Sequence, residues 1–136
     1  MTMMNDQLGL EIARGEAPGN LPFSRYIAVG DWIYVSGVVG RDPNTSKLEE
    51  NDLEVQTRVA LRIIGSILEK AGSNLTDVVK TTIYTTDMSR FAEINVAYRG
   101  ALGAGLPART CVEVSRLPDP EAQVEIDVVA YRQEQR

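Results

Sequence analysis

Short stretches of alternating apolar and polar positions flank longer stretches of helical spacing along this chain. Residues 26–29 and 32–36 are rich in β-branched and aromatic side chains, and a two-residue turn that contains Gly30 joins them, which predicts a hairpin. In residues 52–71, apolar side chains recur every three or four positions. This spacing predicts an amphipathic helix that ends before Gly72.

The second half of the chain continues this succession of strands and helices. Residues 78–86 are nearly all β-branched or aromatic and predict a strand. A helix follows from Asp87 or Ser89 to about Leu102, with an apolar stripe at three- and four-residue spacing. Residues 106–118 then predict a strand bounded by prolines, and residues 122–131 alternate as a last strand with its apolar side chains on one face.

The predicted order β-β-α-β-α-β-β indicates one α+β domain over residues 1–136, with residues 1–17 as a partly ordered arm or an edge strand. Right-handed crossovers place both helices on the same face of a mixed sheet. The last two strands are expected to pair as a hairpin through residues 118–120. Because two helices cover only one face, association with copies of the chain is the simplest cover for the other.

Within the strand 106–118, two faces of different character are predicted. Val112 and Val114 share the face suited to a core, and Arg109, Cys111 and Glu113 fall on the other. A guanidinium and a thiol on one face suggest a binding site. The alternative is that Arg109 pairs with a nearby carboxylate and Cys111 is a small buried hydrophobic side chain.

Composition restricts the chemistry that this chain can perform. The 136 residues include one Cys and no His, which excludes Ser-His and Cys-His nucleophile pairs and argues against a zinc site. The net charge of −5, with scattered Lys and Arg, argues against a nucleic-acid partner. No apolar run approaches the ~20 residues of a membrane span, and residues 1–14 lack the features of a secretory signal. We therefore expect a cytoplasmic protein without membrane attachment.

Two polar residues at unusual positions are further candidates. Asn95 lies within the apolar stripe of the second helix, four residues after Phe91 and three before Tyr98. Its amide needs hydrogen-bond partners, either in a neighbouring loop that it braces or in a site. Glu125 lies on the polar face of the last strand, where an exposed carboxylate without a function is the simpler interpretation.

Several blocks of the sequence, taken in order, closely resemble the RidA/YjgF family from about residue 18 to residue 132. The blocks are Ser-Gly at 36–37, Val-Lys-Thr-Thr at 79–82, Phe-Ala-Glu-Ile-Asn-Val-Ala-Tyr at 91–98, Pro-Ala-Arg-Thr-Cys-Val-Glu-Val-Ser-Arg-Leu-Pro at 107–118 and Val-Glu-Ile at 124–126. The segment from Arg109 to Pro118 is the most specific of them.

The resemblance implies a chorismate-mutase-like fold and a homotrimer with sites between subunits. It also implies hydrolysis of enamines and imines such as 2-aminoacrylate to 2-keto acids and ammonia, without metal or cofactor. Arg109 would bind the substrate carboxylate through two parallel hydrogen bonds, and Glu125 would activate water or shuttle a proton. Ser36, Asn95 and Cys111 match positions that line the cleft, with Cys111 as part of its wall.

Two departures from the family pattern leave the substrate open. Many members carry Gly-Pro-Tyr where this chain has Leu21-Pro22-Phe23, so Phe23 supplies no phenolic hydroxyl to the cleft. Residues 38–43 look more like the 2-aminomuconate deaminase branch. The alternatives are therefore a 2-aminomuconate-type deaminase of a catabolic pathway, a non-catalytic small-molecule-binding or regulatory trimer, and an endoribonuclease or translation inhibitor, an activity attributed to some relatives.

The expected hairpin separates the two principal candidate residues. Pairing Arg109 with about Val129 or Tyr131 places Glu125 roughly 13–20 Å away at ~3.3 Å per residue. Within one chain that distance is too long for both side chains to contact one small substrate. We therefore predict that a working site takes Arg109 and Glu125 from different subunits.

Overall fold

The computed structural model describes residues 2–5 and 11–132. Its strands are β1 (Thr2–Asn5), β2 (Glu11–Glu16), β3 (Ser24–Val29), β4 (Trp32–Val39), β5 (Val78–Thr85), β6 (Ala108–Glu113) and β7 (Val124–Tyr131). Its helices are α1 (Leu53–Lys70) and α2 (Phe91–Leu102), and two short 3₁₀ turns, Leu75–Asp77 and Met88–Arg90, precede β5 and α2. Neither helix of this part of the chain is long and apolar enough to cross a membrane.

All seven strands form one mixed sheet in the order β1-β2-β3-β4-β7-β5-β6. Every neighbouring pair is antiparallel except β5 and β6, which are parallel. The predicted architecture of two helices packed on a mixed sheet is confirmed. In the N-terminal segment, β1 and β2 extend the sheet beyond β3, and residues 6–10 lie outside the described residues.

The predicted hairpin between the last two strands is wrong, because β5 lies between β6 and β7. A β-α-β unit returns its second strand parallel to the first, so α2 delivers β6 to the free edge of β5. Residues 114–123 then cross back to β7, and Leu117 and Ala122 of this connection are buried against Leu48. The strand predicted over 106–118 is also shorter than expected.

The core lies between the helices and one face of the sheet. Its fully buried side chains come from both helices and the central strands: Ile33, Leu53, Leu61, Ile64, Leu68, Ile83, Ile94, Val124 and Ile126. The Asp52 carboxylate caps α1 by accepting a hydrogen bond from the Val55 amide at 3.1 Å. No described helix covers the opposite face of the sheet. Leu48 and Leu117 pack against Val39 and Tyr84 on that face, whereas Trp32, Tyr34 and Tyr131 are exposed.

Candidate functional site

Arg109 lies near the start of β6, on the edge of the sheet beside α2. Its Nη1 donates a hydrogen bond to Asn95 Oδ1 at 2.9 Å. The guanidinium carbon is 4.9 Å from the ring centre of Tyr98 and 5.2 Å from that of Phe91, within range of cation–π attraction. In residues 11–132 no carboxylate forms an ion pair with Arg109. Most of its donors are therefore available to a ligand.

The register of β6 reverses the faces expected from the sequence. Arg109 is opposite Thr81 and Cys111 is opposite Ile83, and both β5 residues are buried beneath the helices. Arg109 and Cys111 therefore face the helices, and Val112 lies on the open face, 40% exposed. Hydrophobicity misassigned the faces because β6 is an edge strand that packs a guanidinium against the aromatic rings of α2.

A cleft of about 230 Å³ opens beside the Arg109 guanidinium. It is lined by Asn95, Tyr98, Arg99, Leu106, Pro107 and Arg109. Asn95 contacts Arg109 rather than a loop, so its amide holds one arm of the guanidinium fork. The Tyr98 hydroxyl donates to Thr81 Oγ1 at 3.0 Å, and burial raises the pKa of Tyr98. This bond fixes the ring beneath the guanidinium.

Cys111 lies beside this group and packs against the hydrophobic core. Burial raises the pKa of its thiol, and the nearby Arg109 charge opposes that rise only in part. The protonated thiol is therefore favoured, and the chain contains no His that could deprotonate it. These surroundings suit Cys111 to the wall of a site better than to a nucleophile.

Glu125 lies on β7, on the open face of the sheet, next to an irregularity in β4. The register between β4 and β7 shifts between Val35 and Val38, and a Cβ at Gly37 would overlap the Glu125 carboxylate, 2.9 Å from its Cδ. A glycine at this bulge thus provides the space for the carboxylate. Burial, and then the negative charge of Asp127, raise the pKa of Glu125.

Phe23 and Ser36 line a second cleft, of about 320 Å³, together with Gly37. The Ser36 hydroxyl donates to the carbonyl of Ser24 at 2.6 Å, which anchors the first residue of β3 to the bulge in β4. Phe23 is 49% exposed and presents an apolar ring where a phenol would bring a hydroxyl. The cleft wall is mostly apolar.

The predicted site residues thus form two groups within one chain. The first group consists of Asn95, Arg109 and Cys111. The second consists of Phe23 and Ser36 in their shared cleft and of Glu125, which adjoins that cleft through Gly37. Arg109 is opposite Thr81, whereas Glu125 is opposite Tyr84, and the two side chains leave opposite faces of the sheet. A single chain therefore does not bring Arg109 and Glu125 together.

The sequence interpretation missed four residues that shape these groups. The apolar stripe predicts Phe91 and Tyr98 as core residues, although their spacing around Asn95 places all three on one helix face. Gly37 leaves space for the Glu125 carboxylate, and the charge of Asp127 acts on Glu125. Both effects depend on how the strands pair. The alternation of Glu125 with Asp127 was the only signal that the sequence offered for the latter.

Comparisons with known proteins identify the family. A family model described as endoribonuclease L-PSP matches residues 15–132. The chain belongs to the RidA/YjgF family. It is 41% identical over 112 residues to a RutC family protein of Pyrococcus abyssi, covering 82% of this chain and 87% of that protein.

A second RidA/YjgF relative carries the name of an activity. The human protein named 2-iminobutanoate/2-iminopropanoate deaminase is 35% identical over 122 residues, covering 89% of this chain and 88% of the human protein. The crystal structure of the Escherichia coli YjgF gene product superposes with a TM-score of 0.78 at 33% identity, covering 88% of this chain and 94% of that one. The resemblance noted in the sequence is confirmed, and the family supports imine/enamine deaminase chemistry at a coarse level.

Proposed function

We propose that this protein hydrolyses reactive enamine and imine carboxylates of the 2-aminoacrylate kind to 2-keto acids and ammonia. The observation that carries the proposal is the Arg109 guanidinium, which faces an open cleft without a carboxylate partner among residues 11–132. Its planar fork matches a carboxylate through two parallel hydrogen bonds. Asn95 and the ring of Tyr98 fix its orientation before a ligand arrives.

Glu125 is suited to the proton transfers of this reaction. Its raised pKa keeps the carboxyl protonated at higher pH than an ordinary glutamate, so it can donate a proton to the enamine carbon and generate the iminium form of the imine. The resulting carboxylate can then take a proton from water as the water oxygen adds to the imine carbon. Glu125 then gives this proton to the amino group of the carbinolamine and takes the proton of its hydroxyl group. The C–N bond breaks as the C=O bond forms, which releases ammonia and the 2-keto acid.

We further propose that the complete site lies between subunits of a homotrimer, with Arg109 from one chain and Glu125 from its neighbour. Three features support this arrangement. The two residues lie on opposite faces of the sheet, β6 offers a free edge, and the open face exposes large apolar side chains such as Trp32 and Tyr34. Apolar surface of this kind is typical of an interface.

The reaction is tested in an assay in which an amino-acid oxidase generates the imine. The rate of ammonia release from that imine is then measured. Arg109→Ala should lower kcat/KM by roughly 10- to 150-fold, since a hydrogen bond to a charged group contributes about 1.5–3 kcal/mol. Arg58→Ala, on the exposed side of α1, is the matched control and should retain wild-type turnover. Equal turnover by the Arg109 and Arg58 variants would contradict the proposal.

Two other functions have some support and predict different experimental results. A non-catalytic small-molecule-binding trimer is favoured by Phe23, which lacks the phenolic hydroxyl, and it predicts ligand binding without ammonia release. An endoribonuclease is suggested by the description of the family model. The absence of His and the net charge of −5 disfavour it. RNA cleavage that survives Arg109→Ala would support it.

If the protein is a deaminase, an enamine of the 2-aminomuconate type is a second candidate for its substrate. Residues 38–43, which carry that resemblance, contribute five side chains to the Phe23 cleft: Val38, Val39, Arg41, Asp42 and Pro43. Turnover of 2-aminomuconate compared with 2-aminoacrylate in the ammonia assay distinguishes the two substrates.

A further inference from the structure

Arg25 lies where two clefts meet beside α1. One is the cleft of Phe23 and Ser36, and the other, of about 440 Å³, lies against α1 and extends to Lys70. Five residues line both clefts: Pro18, Arg25, Asp42, Pro43 and Ile63. The Arg25 side chain is half-buried at this junction.

The other charged side chains that line the Phe23 cleft already have partners. Arg41 forms an ion pair with Asp119 at 2.9 Å. Asp42 forms one with Arg62 at 3.3 Å and also accepts backbone hydrogen bonds, which lower its pKa. Arg25 has no ion pair and no side-chain hydrogen bond within residues 11–132. Among the charged groups that line this cleft, the Arg25 guanidinium is therefore the one without an ion-pair partner in residues 11–132.

The remainder of the cleft wall suits an aliphatic chain. Its apolar members are Pro18, Leu21, Phe23, Val38, Val39, Pro43 and Ile63. An apolar wall with one uncommitted guanidinium is complementary to a ligand whose hydrocarbon segment ends in an anion. An anionic ligand should interact more favourably with a half-buried guanidinium than with a fully exposed one, because water solvates the half-buried group incompletely.

We propose that Arg25 binds a second anionic group at the far end of the substrate and selects enamines and imines derived from α-amino diacids. This inference rests on the proposed function, in which Arg109 of a neighbouring subunit holds the first carboxylate. Arg25 is then a specificity-determining residue, and the reaction centre lies between the two guanidinium groups.

Calorimetric titration of the full-length protein with two product analogues tests this assignment. The analogues 2-oxoadipate and 2-oxohexanoate have chains of equal length, and only the former ends in a carboxylate. Wild type should bind 2-oxoadipate about tenfold more tightly, the gain expected of one hydrogen bond between charged groups. In Arg25→Gln the affinity ratio should fall to about one, whereas Arg58→Gln, a matched change on α1, should keep the wild-type ratio.

Equal affinities in wild type, or an unchanged ratio in Arg25→Gln, would overturn the role of Arg25. Arg109→Ala distinguishes this failure from failure of the proposed function, because it should weaken both ligands. Wild-type affinity for 2-oxohexanoate in Arg109→Ala would contradict the proposed function itself. Circular-dichroism melting curves verify that each variant is folded before it is titrated.

Discussion

Mixing Arg109→Ala chains with Glu125→Gln chains should restore deaminase activity to a level well above that of either variant alone. Within one chain, β5 lies between the strands that carry Arg109 and Glu125, so two strand spacings separate them across the sheet. Arg109 pairs with Thr81 of β5 and Glu125 with Tyr84, so the two residues are also three residues apart along the strand direction. At ~3.3 Å per residue and ~4.8 Å per strand, their backbones are roughly 14 Å apart. Their side chains also leave opposite faces, so one small substrate cannot contact both.

The expected recovery follows from how variant chains combine. A site between neighbouring chains is intact only when its Arg109 comes from a Glu125→Gln chain and its Glu125 from an Arg109→Ala chain. If equal amounts of the two variants assemble at random into closed rings, each of the two chains at a site is the required variant with a probability of about one half. Both are the required variants at roughly one site in four. Activity should therefore recover to about a quarter of the wild-type value.

The assay measures ammonia release after the two variants are unfolded together, refolded and compared with each variant treated alone. A double variant, Arg109→Ala with Glu125→Gln, mixed with wild type controls for effects of refolding. If the mixture is as inactive as its components while wild type recovers from the same treatment, the site does not combine these residues from different chains, and the two-group interpretation is refuted.

Two further changes test the surroundings of Glu125. Gly37→Ala places a Cβ against the Glu125 carboxylate, a flexible group that can shift, so kcat should fall at least tenfold with little loss of thermal stability. Gly100→Ala on α2 is its control, because a Cβ there meets open space and a helical Ala is favoured by about 0.5–1 kcal/mol; equal kcat in the two variants would contradict the steric argument. Asp127→Asn removes a negative charge that raises the pKa of Glu125, so ionisation becomes easier and the Glu125-dependent limb of the pH profile of kcat/KM should move to lower pH. A limb that does not move would show that another group titrates in the reaction.

The sequence by itself determined the order of the elements and much of the chemistry. Periodicity located α1 to within about one residue at each end and predicted the end of α2 at Leu102, because their apolar stripes face a core. The expected first turn of α2 is the 3₁₀ turn Met88–Arg90, which Asp87 caps. The absence of His excluded imidazole-based nucleophile pairs. The motif around Arg109 identified the family, and its residues led to both groups of the candidate site.

Only the tertiary structure decided how these residues lie relative to one another. Alternation shows which side chains share a face, but not which face meets the helices when a strand lies at the edge of a sheet, as β6 does. Strand order is equally non-local, since α2 sends β6 to the far edge of β5 and thereby separates it from β7. The pairing of β4 with β7 places Gly37 beside Glu125, and the packing of α2 against β6 places Arg109 over Tyr98. These contacts join residues distant in the chain, and no local pattern encodes them.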